Sequence, residues 1–153
     1  MAKQTDYLAQ GVRFLRDNRL EDALRTFDKV LRHDPSQKRA FIHRAEALTK
    51  LNRLEEALQS YDKAVEIDPK EAWAWLWRGD VLRDLKKPEE AIQSYDKAVE
   101  IDPKEARFWV SRGHVLGDLK RSEEALKSYE KATQIDPQLV WGWIWRGHLL
   151  EAL

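Results

Sequence analysis

The dipeptide Asp-Pro occurs at Asp34-Pro35, Asp68-Pro69, Asp102-Pro103 and Asp136-Pro137, each 34 residues after the last. A fixed period of this length commits the chain to a stack of like units, because one such unit cannot bury its own apolar face and needs neighbours to do so. The similarity is high between dipeptides as well as at them. Glu55 to Ala72 reads EEALQSYDKAVEIDPKEA and Glu89 to Ala106 reads EEAIQSYDKAVEIDPKEA, so one residue in eighteen differs. Tandem duplication, or design from a repeat, produces likeness of this order.

Each unit reads as two helices. With 6 glycines and 5 prolines, and with alanine, leucine, glutamate and lysine abundant, the composition favours helix. In the third unit, Ala72 to Glu105, the first helix is expected to use Asp68 as its N-cap, Pro69 in its first turn and Glu71 as a capping-box carboxylate. Trp75, Leu82 and Leu85 recur at helical spacing, and Lys86-Lys87 interrupts the pattern. Pro88 then opens a second helix, with Glu89 and Glu90 at the positive end of its dipole and Ala91, Tyr95, Ala98 and Val99 on its buried stripe. In the fourth unit Ser122 replaces Pro88 and is expected to act as an N-cap.

Aligned on the prolines, the units share an aromatic (Tyr7, Phe41, Trp75, Trp109, Trp143), then a small residue (Gly11, Ala45, Gly79, Gly113, Gly147). A large apolar residue follows (Phe14, Leu48, Leu82, Leu116, Leu150). The second helices share alanine (Ala23, Ala57, Ala91, Ala125), an aromatic (Phe27, Tyr61, Tyr95, Tyr129) and a small apolar residue (Val30, Ala64, Ala98, Ala132). This pattern resembles the tetratricopeptide repeat. The resemblance implies an all-α fold, a right-handed α-α superhelix (solenoid) of four helix-turn-helix units plus one C-terminal helix. It divides residues 1–153, read as a single domain, into repeats at about 4–37, 38–71, 72–105 and 106–139, with the first helix of a fifth at 140–153. One departure is systematic. Where the family has leucine before the small residue, this chain has Arg44, Arg78, Arg112 and Arg146, expected to pack their stems and to turn their heads toward solvent or a carboxylate.

The family binds peptides in a groove lined by the first helix of each unit, so the resemblance makes this chain a scaffold or adaptor for a protein or peptide segment. Its groove positions are Arg39, Ile42 and Glu46 in the second unit, and Trp73, Leu76, Trp77 and Asp80 in the third. They continue as Arg107, Val110 and His114 in the fourth, and Trp141, Ile144, Trp145 and His148 in the fifth. Of the seven tryptophans, Trp75, Trp109 and Trp143 hold the family's packing position and are expected in the core. Trp73/Trp77 and Trp141/Trp145 stand four apart, so each pair shares a helix face. Such pairs serve either as a contact surface or as packing between repeats, and contact is the favoured reading. Alternating RAFIH, WAWLW, RFWVS and WGWIW segments suit a peptide with apolar anchors and some acidic residues. The family's two-carboxylate clamp for chaperone tails is not expected, since Leu8, Val12, His43, Trp73 and Trp77 replace its lysines, asparagines and arginine.

Other functions are disfavoured. Twenty-seven basic residues balance 27 acidic ones, so no net field draws the chain to nucleic acid. No cysteine is present to form a disulfide, a thiolate nucleophile or a thiolate zinc site. No nucleophile-base set and no glycine-rich phosphate loop is evident, so neither enzymatic activity nor a cofactor is expected. His114 and His148 are 34 apart, too few for a metal without further ligands. The start, Met1 to Asp6, lacks an apolar signal segment, and no run is long enough to span a membrane, so a cytoplasmic location is expected. The chain stops at Leu153 midway through a motif, which motivates an alternative: homo-oligomeric assembly through the aromatic last helix.

Overall fold

The computed structural model describes residues 2–151, with the side chains of residues 2–6, 141 and 149–151 outside the description. The expectations for Trp141 and Leu150 therefore lie beyond the described side chains. The described residues form helices and turns without a strand. The helices are α1 Ala2–Arg16, α2 Leu20–His33, α3 Lys38–Lys50, α4 Leu54–Ile67, α5 Ala72–Asp84, α6 Pro88–Ile101, α7 Ala106–Asp118, α8 Ser122–Ile135 and α9 Val140–Glu151. They form two compact units, Met1–Lys70 holding α1 to α4 and Glu71–Leu153 holding α5 to α9. Each unit is built from antiparallel helix pairs, α1/α2 and α3/α4 in the first, α5/α6 and α7/α8 in the second, where α9 packs on α8 and α7.

The turn inside each pair is the same. Asn18, Asn52, Lys86 and Lys120 have φ of 57°, 57°, 61° and 59°, the left-handed conformation that ends a helix. In each case the next residue donates its N–H five residues back, as Lys87 does to the Leu82 carbonyl at 2.9 Å and Arg121 to the Leu116 carbonyl at 2.9 Å. Asparagine adopts this conformation readily, whereas lysine does so at a cost of about 1 kcal/mol.

Helix starts differ from the sequence expectation. Asp68 ends α4 rather than capping α5: its backbone is extended, and its carboxylate accepts from the Lys70 N–H at 3.0 Å. Pro69 thus shapes a turn, and α5 begins at Ala72 with Glu71 in the capping place. In α7 the equivalent Glu105 does accept from the Arg107 N–H, at 3.2 Å. Ser122 is likewise the first residue of α8 and makes no side-chain cap; Pro88 opens α6 as its sequence implies.

The core of each pair is an aromatic ring of the second helix laid on the small residue of the first. A Cβ built on Gly79 would come within 2.5 Å of Tyr95, one on Gly11 within 2.5 Å of Phe27, and one on Gly113 within 2.7 Å of Tyr129. Glycine here admits a large buried ring worth roughly 2–3 kcal/mol of apolar burial. Tyr61, Tyr95 and Tyr129 are all buried, as are the alanines beside them.

Adjacent pairs are tied by the arginines. Arg112 donates through Nη1 to the Ser128 Oγ at 2.7 Å and through Nε to the Asp96 Oδ1 at 2.6 Å, joining α7 to α8 and to α6. Arg44 repeats this with Ser60 and Asp28 at 2.7 and 2.8 Å, and Arg78 reaches Ser94 at 2.6 Å. The serines are buried and donate in turn to a carbonyl four residues back, so each hydroxyl both accepts and donates within the fold.

Candidate functional site

In the second unit α5, α7 and α9 stand in succession, α7 packing on both, and their shared face carries the groove residues read from the sequence. Trp73 and Trp77 do share a helix face, with ring centroids 5.8 Å apart and planes tilted by 37°. Trp73 also meets the Phe108 ring edge-on at 4.9 Å. The Arg107 guanidinium lies 4.3 Å above the Trp73 ring, yet 63% of that arginine side chain remains exposed. Arg107 is steadied by its Glu105 neighbour at 3.2 Å.

Between these residues opens a hollow of about 530 Å³, lined by Trp73, Leu76, Trp77, Arg107, Val110, Ser111, His114, Leu139 and Trp145. The structure thus brings seven of the expected groove residues to one place. A second hollow of about 430 Å³ lies on the other side of the His114–Trp145 pair and is lined by Arg83, His114, Gly117, Asp118, Tyr129, Trp145 and His148. The imidazole of His114 meets the Trp145 ring edge-on at 4.7 Å, so this pair forms a wall common to both hollows. Trp145 also lies 6.1 Å from His148.

The electrostatics separate the members. Burial pushes the His114 pKa below the usual histidine value; Arg83 acts in the same direction and Asp118 against it. His114 is therefore neutral at pH 7, and its Nε2 is buried without a hydrogen bond among the described residues. Asp80 is committed differently: Tyr95 donates its hydroxyl to Oδ1 at 2.8 Å, while burial raises the carboxyl pKa above the usual range. The same burial, with the Asp80 charge beside it, raises the Tyr95 pKa. Among the described residues no group of three His, Asp or Glu side chains is placed to hold a metal ion.

The other expected residues lie elsewhere. Arg39, Ile42 and Glu46 belong to α3 in the first unit, where Ile42 is buried and Glu46 pairs with Lys50 at 3.2 Å and with His43 at 3.6 Å. The neighbouring His43 is the main cause that lowers the Glu46 pKa. Ile144 stands exposed on α9. The core expectation for Trp75, Trp109 and Trp143 needs correction: the first two are half-buried and Trp143 is 48% exposed. The reason is polar as well as steric. Trp109 and Trp143 each donate Nε1 to a proline carbonyl of the preceding turn, Pro103 and Pro137, at 3.0 Å, which holds the ring at the rim.

Tyr129, Ser111 and Leu139 also line these hollows without having been read as groove positions. Tyr129 is a core residue whose ring forms a hollow wall because histidine, rather than an aspartate that would bond its hydroxyl, faces it from α7. Ser111 lies beside the expected Val110. Leu139 had a visible signal: the equivalent places in earlier units hold Gln37, Glu71 and Glu105, so an apolar residue there is a break in the repeat.

The first unit has a different hollow, about 860 Å³ between α2, α3 and α4, lined in part by Phe41, Arg44 and Lys63. Arg44 in its lining is already engaged by Asp28 and Ser60.

Sequence models of the tetratricopeptide repeat match residues 8–72, 72–105 and 106–139. No curated protein matches the chain. Among solved structures, MamA is 22% identical with a TM-score of 0.91, the match covering 99% of this chain and 83% of that one. PilF of Pseudomonas aeruginosa is 24% identical with a TM-score of 0.86 over 97% and 68% of the two chains. YrrB, a TPR protein described as having an unusual peptide-binding site, is 23% identical with a TM-score of 0.82 over 95% and 75%. At these identities the likeness establishes the fold. No helix among the described residues is long and apolar enough to cross a membrane.

Proposed function

Because the chain belongs to the tetratricopeptide repeat family, a family of non-catalytic protein-interaction modules, we propose that residues 1–153 act as one binding domain that holds a peptide in the hollow between α5, α7 and α9. The observation that carries the reading is the Arg107–Trp73 pair at the mouth of the apolar 530 Å³ hollow. An aromatic floor held rigid by Phe108 costs little entropy on binding, and an exposed cation stacked above it offers a charge-assisted bond beside an apolar socket. Such a site takes a segment with one large apolar side chain, aromatic or leucine, followed within a turn by a carboxylate. His114 is neutral and the family's clamp residues are replaced, so a cluster of carboxylates has too few cations to meet here.

A selection from a displayed random-peptide library, run on the wild-type chain and on Arg107→Glu, tests this. Enriched peptides should pair an apolar residue with Asp or Glu on wild type, and should lose the acidic residue on the variant. Individual peptides should bind the Trp77→Ala chain about tenfold more weakly or worse. Enrichment that ignores the charge reversal would exclude this site.

A further inference from the structure

The 430 Å³ hollow beyond the His114–Trp145 pair holds chemistry that the peptide site leaves unused. Its walls come from four helices, α5, α7, α8 and α9. Four rings follow one another around it. Tyr129 meets His114 at 5.9 Å with planes at 61°, and His114 meets Trp145 at 4.7 Å and 71°. Trp145 in turn meets His148 at 6.1 Å and 53°. Rings set at such angles wall a space, whereas parallel rings would close it. The enclosure is particular to this repeat, because α5 has Asp80 and α3 has Glu46 where α7 has His114.

The charges in the lining favour a cation. Arg83 stands 3.7 Å from Asp80 and 3.6 Å from Asp84, both on its own helix, so its charge is already answered. Asp118 lines the hollow, is exposed, and has no ion pair among the described residues. It is also the last residue of α7, where the negative end of the helix dipole disfavours a carboxylate. The same place on α3 holds Lys50, which the dipole favours. A carboxylate set against the dipole, beside a space walled by rings, matches an incoming positive charge.

We propose that this hollow receives the guanidinium of an arginine from the bound peptide. The flat cation lies against the Trp145 ring, and Asp118 accepts two of its N–H groups. The assignment to a peptide rests on the reading of the first hollow, with which this one shares the His114–Trp145 wall. A chain lying in the first hollow passes the mouth of the second, so the arginine belongs within a few residues of the apolar anchor.

The test uses N-acetylarginine amide and its uncharged isostere, N-acetylcitrulline amide. Each is titrated into isotope-labelled chain and followed by NMR at the tryptophan indole N–H signals. The Trp145 signal is identified by its absence from Trp145→Leu. It should shift saturably with the arginine probe, which the citrulline probe should match at least about tenfold more weakly. Asp118→Asn should weaken the arginine probe about fivefold. Asp118 is exposed, so this variant stays folded, which circular dichroism verifies. Peptides with the apolar and acidic pair of the first site, and arginine at successive places beyond it, extend the test. One register should bind about fivefold more tightly than its citrulline equivalent, and should lose that gain on Asp118→Asn.

Equal binding of the two probes, or an Asp118→Asn chain that binds like wild type, overturns the proposal. So does a preference for N-acetylglutamate amide, which would make Arg83 the recognising group. A gain in no register, while the arginine probe still binds, overturns the peptide assignment and leaves a site for free organic cations. Failure of every such peptide to bind, with the probe results intact, refutes instead the reading of the first hollow.

Discussion

Helices α7 and α9 have one pattern and two fates. Both follow an Asp-Pro turn, both hold a tryptophan whose Nε1 bonds a proline carbonyl at 3.0 Å, and both place arginine three residues and glycine four residues after it. Around α7, helices α6 and α8 supply the Asp96 and Ser128 bonds and the Tyr129 ring. Among the described residues α9 is packed only on its preceding side, so Trp143 is exposed where Trp109 is half-buried and Gly147 is open where Gly113 is filled. The same residue types are packed in one helix and exposed in the other. Pattern defines the role of a position, and neighbours decide whether the role is carried out.

The sharpest way to break this comparison is to put the same side chain in both sockets. Gly113→Leu would place its Cβ 2.7 Å from the Tyr129 ring, which must then shift, and should cost about 3 kcal/mol or more. Gly147→Leu meets no neighbour and should gain about 0.5–1 kcal/mol through helix propensity alone. Urea melts of both variants read the difference directly. A destabilised Gly147→Leu would mean that α9 is covered after all.

The arginines give a smaller contrast. Arg112→Ala removes bonds to Ser128 and Asp96 that tie three helices, and takes its donor from the buried Ser128 hydroxyl, so a loss of about 2 kcal/mol is expected. Arg146→Ala breaks one ion pair at 3.6 Å and should cost under about 1 kcal/mol. Equal losses in chemical denaturation would show that the stem of the arginine, rather than its head, holds the repeats together.

Much of this was legible in the sequence, and the failures are instructive. The 34-residue period and the helix pairs followed from residue type and spacing, because burial repeats whenever the unit repeats. The gathering of Trp73, Trp77, Arg107, His114 and Trp145 was likewise implied, since equivalent positions on successive first helices share a face. Asp68 was misread because Asp-Pro fits a helix start and a helix-ending turn equally well, and the Asp68–Lys70 bond decides between them. Trp109 was misread because an aromatic at a packing position was assumed buried, whereas its N–H needs an acceptor and finds one at the rim. Tyr129 was missed because its place at a hollow depends on the histidine across from it on another helix.

That histidine supports the smallest prediction, on how firmly α9 is held. His114 meets Trp145 at 4.7 Å, with Arg83, Asp118 and His148 around the same hollow. Its pKa in the folded chain is lowered, first by burial and then by Arg83, below the 6.5 it takes when exposed. The unfolded chain therefore binds this proton more readily than the folded one. The stability that follows is fully present above pH 6.5 and is lost as pH falls through the depressed folded value. Wild type should accordingly lose melting temperature on acidification from pH 7 faster than His114→Gln, which has no proton to take up, and tryptophan emission should report the loosening of Trp145. Parallel pH profiles for the two proteins would mean that the imidazole reaches water, and that the wall between the two hollows yields more easily than its packing indicates.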